Sequence, residues 1–567
     1  MSASDKKKLR KEQQNAALTE KQLAEQKQQK KQKAYTLTFI IAMVLVVAIV
    51  LVSVLQAPVT TLLMRGANSL TVNGHEIDAV EFNYFYMDTI NQFYSQFSDG
   101  GDYQDLYVQI YTGLNPAQSL DSQTYNQETG ETWADYFTDS AIASAKWTYT
   151  MYDAAQAAGY KLSESEQRSL DSIETTYEQI AKLYYGLNSA NGYLKSLYGS
   201  SANMKSYMEY YTVSTIATSY ASSYIEGLEF EDKDFREFEK DKMEEYNSYS
   251  YAYFYLNYNS YLTGGTTEKD ENGKDVVTYS EEEKEAARAL ALEDAKKLAV
   301  AENSTVEKLN EAIKALEHKG TTTEATESTA VLFSNLPSIE GMADWLSDSE
   351  RKAGDITYIA YTTHTHAEGE EHSDDEDESA HETVNGYYVV LYLDTVDNNV
   401  NIGTVRHLLV QFKNADGKTY SDGIKTFTEE QKNTAKEKAE KLLAEFEAGE
   451  KTEEAFTELA KKNSDDSGSK TSGGLITNIH PDSGYVKAFT DWATADHEKG
   501  DYEIVETEHG YHIMYYVEAE ELNYRDTLIN NDLIDEAYTA WEEALLEKAT
   551  VSEGNLNSVD TDLIISQ

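Results

Sequence analysis

An internal repeat constrains this chain more than any other feature of its sequence. The segment MADWLSDSERKAGD at 342–355 is matched by FTDWATADHEKGD at 489–501. Each is followed by a strand-like run, GYYVVLY at 386–392 and GYHIMYY at 510–516. A pattern that recurs in this way predicts one supersecondary unit that is built twice.

Each copy also begins with a strand-like segment. In YSYAYFYL, at 249–256, tyrosine occupies every second position, which places these rings on one face of a strand. The second copy begins with TVRHLLVQF at 404–412, and helical stretches lie between head and tail in both copies. Each copy is therefore predicted to be a small α+β domain, a small antiparallel sheet flanked by helices, with bounds 245–398 and 400–519.

The two copies differ at one prominent position and in length. Tyr388 stands in the first copy where the second has His512, and the first copy carries 22 extra residues at 362–383. This insert is rich in acids and contains four histidines, which are candidate ligands for zinc or nickel: His364, His366, His372 and His381. Their spacing is not a fixed metal motif, and the acids favour a solvated loop, so we predict no metal site.

The N-terminal part of the chain is typical of a membrane anchor. Residues 1–34 hold ten Lys or Arg against four acids, and no charged residue occurs from 34 to 64. An apolar run of about 20 residues spans a bilayer, and basic flanks stay on the cytoplasmic side. We therefore expect a cytoplasmic tail at 1–34, a transmembrane helix at 35–57 and an extracytoplasmic body. A cleaved signal peptide is the alternative.

Composition excludes several classes of partner and site. The net charge of −52 argues against nucleic acid, because a phosphate backbone requires a basic surface. The chain has no cysteine, which excludes disulfides, thiolate metal sites, cysteine nucleophiles and a lipid-modified cysteine anchor.

The segment between the anchor and the repeat is predicted to be helical. Aromatic and aliphatic residues recur at helical spacing after an Asn-Gly turn, at Phe82, Phe85, Tyr86, Ile90, Phe93, Tyr94 and Phe97. We expect an all-helical, chaperone-like domain at 66–240. A further amphipathic helix is predicted within 520–567, the C-terminal helix and tail.

Five short motifs of the second copy occur in the order found in one family. They are VRHLLV, FTELAKKNSDD, SGGL, GYVKAF and VETEHGYHIMYY. In this order they resemble the parvulin family of peptidyl-prolyl isomerases. Through VNGHEI, AAQAAGYKLSESEQ and YLKSLYG, the helical region is similar to the chaperone region of PrsA- and SurA-type exported foldases. In these foldases a C-terminal helix packs back on the helical domain, which we expect here.

The parvulin resemblance implies roles for individual residues. Those matching its polar centre are His407, Asp466, Thr507 and His512. Those matching its proline-binding residues are Leu475, Tyr485 and Phe489. The chain departs from the family pattern at Tyr485, where Met is usual, at His509, where a small residue is common, and in GGLITNI, which lacks an aromatic.

The first copy lacks counterparts for this polar centre. Tyr388 replaces His512, and no aspartate occurs between Asp294 and Asp344 that could match Asp466. We expect the first copy to keep the fold without the site, and either to bind client chain or to space the second copy from the helical domain.

Together these features predict a single-pass, membrane-anchored, extracytoplasmic peptidyl-prolyl cis–trans isomerase and chaperone. It would need no cofactor, because isomerisation breaks no bond, and it would act on unfolded exported proteins that contain X–Pro bonds. One alternative is a non-catalytic holdase in which both copies are inactive. The other is a metal-binding surface protein that uses the histidine-rich insert.

Overall fold

The computed structural model describes residues 68–97, 101, 103–199, 201–240, 242–269, 274–318, 320, 322–364 and 382–556. The predicted basic tail and the predicted transmembrane helix at 35–57 lie outside these residues. In the described part of the chain, no helix has the length and hydropathy needed to cross a bilayer. The described residues divide into two compact units, one up to Glu229 and from Leu533 on, the other from Phe230 to Asp532.

The first unit opens with a hairpin that leads into helices. Strands β1 (Asn68–Val72) and β2 (His75–Asp78) are joined by the turn Asn73–Gly74. Asp78 then caps the first helix, because its Oδ1 accepts the backbone N–H groups of Val80 and Glu81, each at 2.9 Å. The helices are α1 (Ala79–Ser95), α2 (Gln104–Thr112), α3 (Trp133–Ala158), α4 (Glu164–Tyr184), α5 (Ala190–Tyr198) and α6 (Met204–Glu226).

The core of the first unit is aromatic, as the helical pattern predicts. Phe82, Phe85 and Ile90 of α1 are buried, while Phe93 and Phe97 are half-buried and pack against the same cluster. Tyrosine suits this core because its ring can be buried while its hydroxyl still finds a polar partner.

The carboxyl of the half-buried Asp88 is an example of such a partner. It accepts hydrogen bonds from the hydroxyls of Tyr198, at 2.9 Å, and Tyr210, at 2.7 Å. Burial raises the pKa of Asp88, and the two hydroxyls oppose that rise.

The second unit contains two sheets of the same design, and α7 (Asp232–Phe238) precedes them. The first sheet has the strand order β6–β3–β8–β7. Its elements in chain order are β3 (Ser248–Asn257), a hairpin of β4 (Thr266–Lys269) and β5 (Asp275–Thr278), α8 (Glu281–Leu298), α9 (Val306–Ala315), β6 (Thr326–Leu332), α10 (Met342–Ser347), β7 (Ile356–His364) and β8 (Glu382–Val396).

The second sheet repeats that design with the strand order β10–β9–β12–β11. Its elements are β9 (Gly403–Gln411), α11 (Glu429–Glu447), α12 (Glu453–Asn463), β10 (Leu475–Ile479), α13 (Lys487–Ala493), β11 (Tyr502–Thr507) and β12 (Gly510–Ala519). In each sheet one face packs on the pair of long helices and the other on the short helix. Period-two alternation along the strands produces these two faces.

The last helix, α14 (Tyr524–Leu546), begins in the second unit, and its residues from Leu533 on belong to the first. In the first unit, the Trp541 ring stacks on Tyr224 with centroids 4.1 Å apart. The final strand, β13 (Val551–Glu553), pairs with β1 and completes a three-stranded sheet.

The mixture of helices and small antiparallel sheets agrees with the predicted α+β class. The first region is helical apart from the β1–β2 hairpin, so it is not all-helical, and β13 adds a third strand to that hairpin. A strand of three residues has no periodicity to detect, and its partner lies almost the whole chain away.

Candidate active site

The loop after α12 positions the carboxylate of Asp466. The helix ends at Asn463, and the buried Ser464 turns the chain towards β9, where its Oγ accepts the backbone N–H of Leu409 at 3.2 Å. Asp466 then accepts the backbone N–H groups of Gly468, at 3.0 Å, and Ser469, at 3.1 Å. These bonds hold the carboxylate in one orientation, as Asp commonly does in turns.

The two central strands bring His407 and His512 together on one face. His407 lies opposite Met514 and His512 lies opposite Leu409, so the two histidines are diagonal neighbours across β9 and β12. Their Nδ1 atoms are 3.0 Å apart, and both side chains are buried. On the far side of His407, Nε2 lies 3.0 Å from Asp466 Oδ2. On the far side of His512, Nε2 lies 3.0 Å from Thr507 Oγ1.

The chemistry of these groups fixes the direction of the hydrogen bonds. An ionised carboxylate only accepts, so His407 Nε2 must donate to Asp466. When His407 is neutral, its Nδ1 is then an acceptor, and His512 Nδ1 donates to it. This leaves His512 Nε2 as the acceptor of the Thr507 hydroxyl proton. One set of neutral tautomers therefore satisfies the whole series from Thr507 to Asp466.

Electrostatics favour this arrangement of charge. Burial alone would raise the pKa of Asp466, but hydrogen bonds from His407 and Ser469 hold it well below its usual range, so the carboxylate is ionised. Burial, assisted by the nearby His407, lowers the pKa of His512 to about 3. His512 is thus a neutral imidazole at physiological pH, and the Asp466 end of the centre carries a negative charge.

An aromatic wall adjoins this polar row. The Phe489 ring meets both imidazoles edge to face, with centroids 5.2 Å from His407 and 5.3 Å from His512. Phe489 is buried against the sheet, whereas Tyr485, whose centroid lies 5.4 Å from that of Phe489, is 43% exposed. The arrangement offers an apolar surface next to a fixed negative charge, suited to a ring-shaped apolar group joined to a polar bond.

The structure brings together every residue predicted for the isomerase site except Leu475. That residue begins β10 opposite Arg406, and successive side chains of a strand point to opposite faces, so Leu475 does not share the face of His407. The neighbouring Ile476 lies opposite Val405 and packs against the Phe489 cluster.

The glycine pair before β10 allows that strand to approach His407. Gly474 has φ +76°, and a Cβ there would lie 2.0 Å from the carbonyl oxygen of His407.

Sequence reasoning missed Ser469. Its buried Oγ lies 2.9 Å from His407 Nε2 and donates a short hydrogen bond to Asp466. Serine three residues after an aspartate in a loop is a recognisable turn pattern, which could have indicated it.

The corresponding place in the first sheet is occupied by tyrosines. Gly386 lies opposite Asn257 in the first sheet, as Gly510 lies opposite Gln411 in the second. Counting along the central strands from these two pairs places Tyr253 at the position of His407. The same count places Tyr388 at the position of His512. The Tyr253 and Tyr388 rings are 5.8 Å apart. Met342 occupies the place of Phe489, since Trp345 and Trp492 align the two short helices.

The candidate metal ligands of the insert cannot be placed. His366, His372 and His381 lie outside the described residues, and His364 ends β7. Among the described residues, no group of three or more histidine and acidic side chains could hold a metal ion.

Comparison with known proteins identifies the second sheet and its helices. Residues 407–518 match the model of the rotamase family described as the PPIC-type PPIASE domain. This match confirms the parvulin-type resemblance for that part of the chain. No curated protein matches the chain.

Several solved structures are similar to parts of the chain. Peptidylprolyl isomerase PrsA from Bacillus anthracis is 24% identical, with 27% of this chain and 59% of that chain covered and a TM-score of 0.17. Peptidylprolyl isomerase PrsA from Bacillus cereus is 26% identical, with 30% of this chain and 59% of that chain covered and a TM-score of 0.17. PrsA from Bacillus subtilis is 24% identical, with 28% of this chain and 54% of that chain covered and a TM-score of 0.15. The chain thus spans little more than half the length of these structures.

Proposed function

We propose that this protein isomerises X–Pro peptide bonds in exported proteins, through the domain at 400–519. The observation that carries the proposal is the hydrogen-bonded series Thr507–His512–His407–Asp466, set against the Phe489 ring within a PPIC-type domain. The domain at 245–398 would be non-catalytic, because tyrosines stand in the two histidine positions.

The physical problem in this reaction is the stability of the planar amide. Rotation about a peptide bond costs about 18–20 kcal/mol, and uncatalysed X–Pro isomerisation takes on the order of tens to hundreds of seconds. The planar amide is more dipolar than the twisted one, since resonance places negative charge on its oxygen. An apolar slot that holds the proline ring and excludes water therefore destabilises the planar form more than the twisted form.

The fixed carboxylate acts in the same direction. A negative charge beside the carbonyl oxygen opposes the charge that resonance puts there, and this repulsion falls as the bond twists. Asp466 supplies this charge, while His407 and Ser469 hold it in place. No bond is broken in this mechanism, so the chain needs neither a nucleophile nor a cofactor.

We also propose that the protein is anchored by residues 35–57, with its body outside the cytoplasm. The basic tail and the uncharged segment from 34 to 64 support this topology. Protease added to intact protoplasts should digest the body and leave a short fragment that contains the tail and the span. Complete protection of the body would contradict the topology.

A chaperone function is favoured by one surface of the first unit. Helix α2 buries Val108 but leaves apolar side chains exposed, with Ile110 63% and Tyr111 74% accessible. An exposed apolar patch of this kind suits transient binding of unfolded chain. Ile110→Ser with Tyr111→Ser should weaken suppression of client aggregation and leave isomerase activity unchanged, whereas unchanged suppression would assign holding to another surface.

The isomerase proposal is tested with a refolding substrate limited by a prolyl bond. The purified body should accelerate its slow phase, and the double variant His407→Tyr/His512→Tyr should not. If the wild-type body leaves the slow phase unchanged but still prevents aggregation, the non-catalytic holdase is the correct function.

A further inference from the structure

A cleft lies between the two sheets of the second unit, beside the candidate active site. Its volume is about 290 Å³. The first sheet contributes Ser250, Ala330 and Asp394, and the second contributes Asp482, Tyr485 and Thr490. None of the polar residues assigned to catalysis lines it.

The cleft is continuous with the aromatic wall of the active site through Tyr485. This ring packs on Phe489 on one side and lines the cleft on the other. Helix α13 divides the two spaces in the same way, since Phe489 faces the sheet while Thr490 and Asp491 line the cleft. A chain whose proline rests on Phe489 can therefore extend over Tyr485 into the cleft.

The charges of the cleft are unbalanced. Lys487 Nζ lies 2.9 and 3.0 Å from the two carboxylate oxygens of Asp491, so this pair is neutral. Asp394 and Asp482 are both exposed, and neither has a cationic partner in the described part of the chain. Two carboxylates from different sheets therefore face the same space without neutralisation.

A buried hydroxyl adds a second feature that suits a bound chain. Ser250 is only 8% exposed, and its Oγ accepts the backbone N–H of Ala330 at 3.0 Å. Among the described residues, the hydroxyl proton of Ser250 has no acceptor, although this side chain lines the cleft. A buried donor in this position favours an occupant that offers an oxygen, such as a peptide carbonyl.

We propose that this cleft is a specificity subsite for a lysine or arginine next to the prolyl bond of the client. This proposal rests on the proposed isomerase function. It extends that function, because the subsite is built partly from the non-catalytic first sheet. The ammonium or guanidinium group lies between Asp394 and Asp482, and the client backbone accepts the hydrogen bond of Ser250. The first sheet thereby selects the substrates that the second sheet isomerises.

The test uses the full chain and fluorescent peptides that each contain one proline. A lysine is scanned along the residues flanking the proline, with glutamine and glutamate at the same positions for comparison, and both Kd and kcat/KM are measured. At the position that reaches the cleft, lysine should be preferred to glutamine by up to about fivefold, the upper range for an exposed ion pair, and the preference should vanish at high salt.

Asp394→Asn isolates the contribution of the first sheet. It should abolish the lysine preference in both measurements, so that the lysine and glutamine peptides give equal Kd and equal kcat/KM. The matched control, Glu350→Gln, removes an exposed acid of the same copy that does not line the cleft and should keep the preference.

The outcomes separate the two proposals. Isomerisation without lysine preference, or a preference that persists in Asp394→Asn, would overturn the subsite and leave the proposed function intact. Absence of isomerisation with every peptide would overturn the proposed function, and the Kd values would still decide whether the cleft selects lysine.

Discussion

The two sheets of the second unit have the same strand order and the same pattern of helices, yet their central residues differ completely. In the second sheet, His407 and His512 form a buried polar pair tied to Asp466 and Thr507. In the first, Tyr253 and Tyr388 occupy the equivalent strand positions. The same sheet design therefore forms in the first copy with tyrosines at these positions, so the design itself does not require histidines there.

The loops that precede β10 in the second sheet and β6 in the first also differ. The second copy places SDD directly after α12, and the backbone of that loop fixes the Asp466 carboxylate. The first copy has no aspartate between Asp294 and Asp344, so its sequence offers no aspartate counterpart of Asp466. The duplication therefore kept the packing of the sheet faces while only one copy carries the charged centre.

The largest loss of activity is expected when the second sheet is given the central residues of the first. His407→Tyr/His512→Tyr should lower kcat/KM by about 100-fold, equivalent to about 2.7 kcal/mol, because it removes the groups that hold Asp466. Tyr253→Phe in the first sheet is the matched control and should leave activity unchanged. A folded double variant, verified by thermal unfolding, with nearly wild-type kcat/KM would assign catalysis elsewhere.

Phe489 and Met342 occupy equivalent positions on the short helices of the two sheets. Substituting each of them should separate an effect on activity from an effect on stability. Phe489→Ala and Met342→Ala each empty a buried position and should each lower the free energy of unfolding by about 2–5 kcal/mol. Only Phe489→Ala should also lower kcat/KM, by about 30-fold, because it opens the proline slot. Equal losses of kcat/KM in both variants would show that the first sheet takes part in the reaction.

The stability of the two sheets should respond differently to acid. The folded-state pKa of His512 is lowered to about 3, so between its ordinary pKa of 6.5 and that value the unfolded chain binds a proton that the folded chain does not. As the pH is lowered through this window, the free energy of unfolding of the second sheet should therefore decrease by about 1.4 kcal/mol per pH unit.

Hydrogen exchange measured at each pH and corrected for the intrinsic exchange rate would reveal this difference. Protection in β12 should fall more steeply than protection in β8, where Tyr388 replaces His512. Equal slopes in the two strands would mean that His512 is not held neutral in the folded protein.

The repeat and the parvulin motifs predicted much of this arrangement before any coordinates. They located His407, His512, Thr507, Asp466, Tyr485 and Phe489, which lie together. Leu475 was misplaced because a shift of one residue along a strand reverses the face of a side chain, and motif alignment alone does not fix the register. The cleft could not be predicted, since it depends on how two domains pack, which no local periodicity encodes.

The most direct test of the central claim is the kcat/KM of Asp466→Asn, measured together with its melting temperature. Asparagine keeps the size of the side chain and an acceptor for the loop but removes the charge at the end of the slot. The account predicts a loss of about 10-fold, or about 1.4 kcal/mol of transition-state stabilisation. Asp465→Asn, which changes the adjacent acid of the same loop, should keep wild-type activity. A folded Asp466→Asn variant that isomerises prolyl bonds at the wild-type rate would contradict the account.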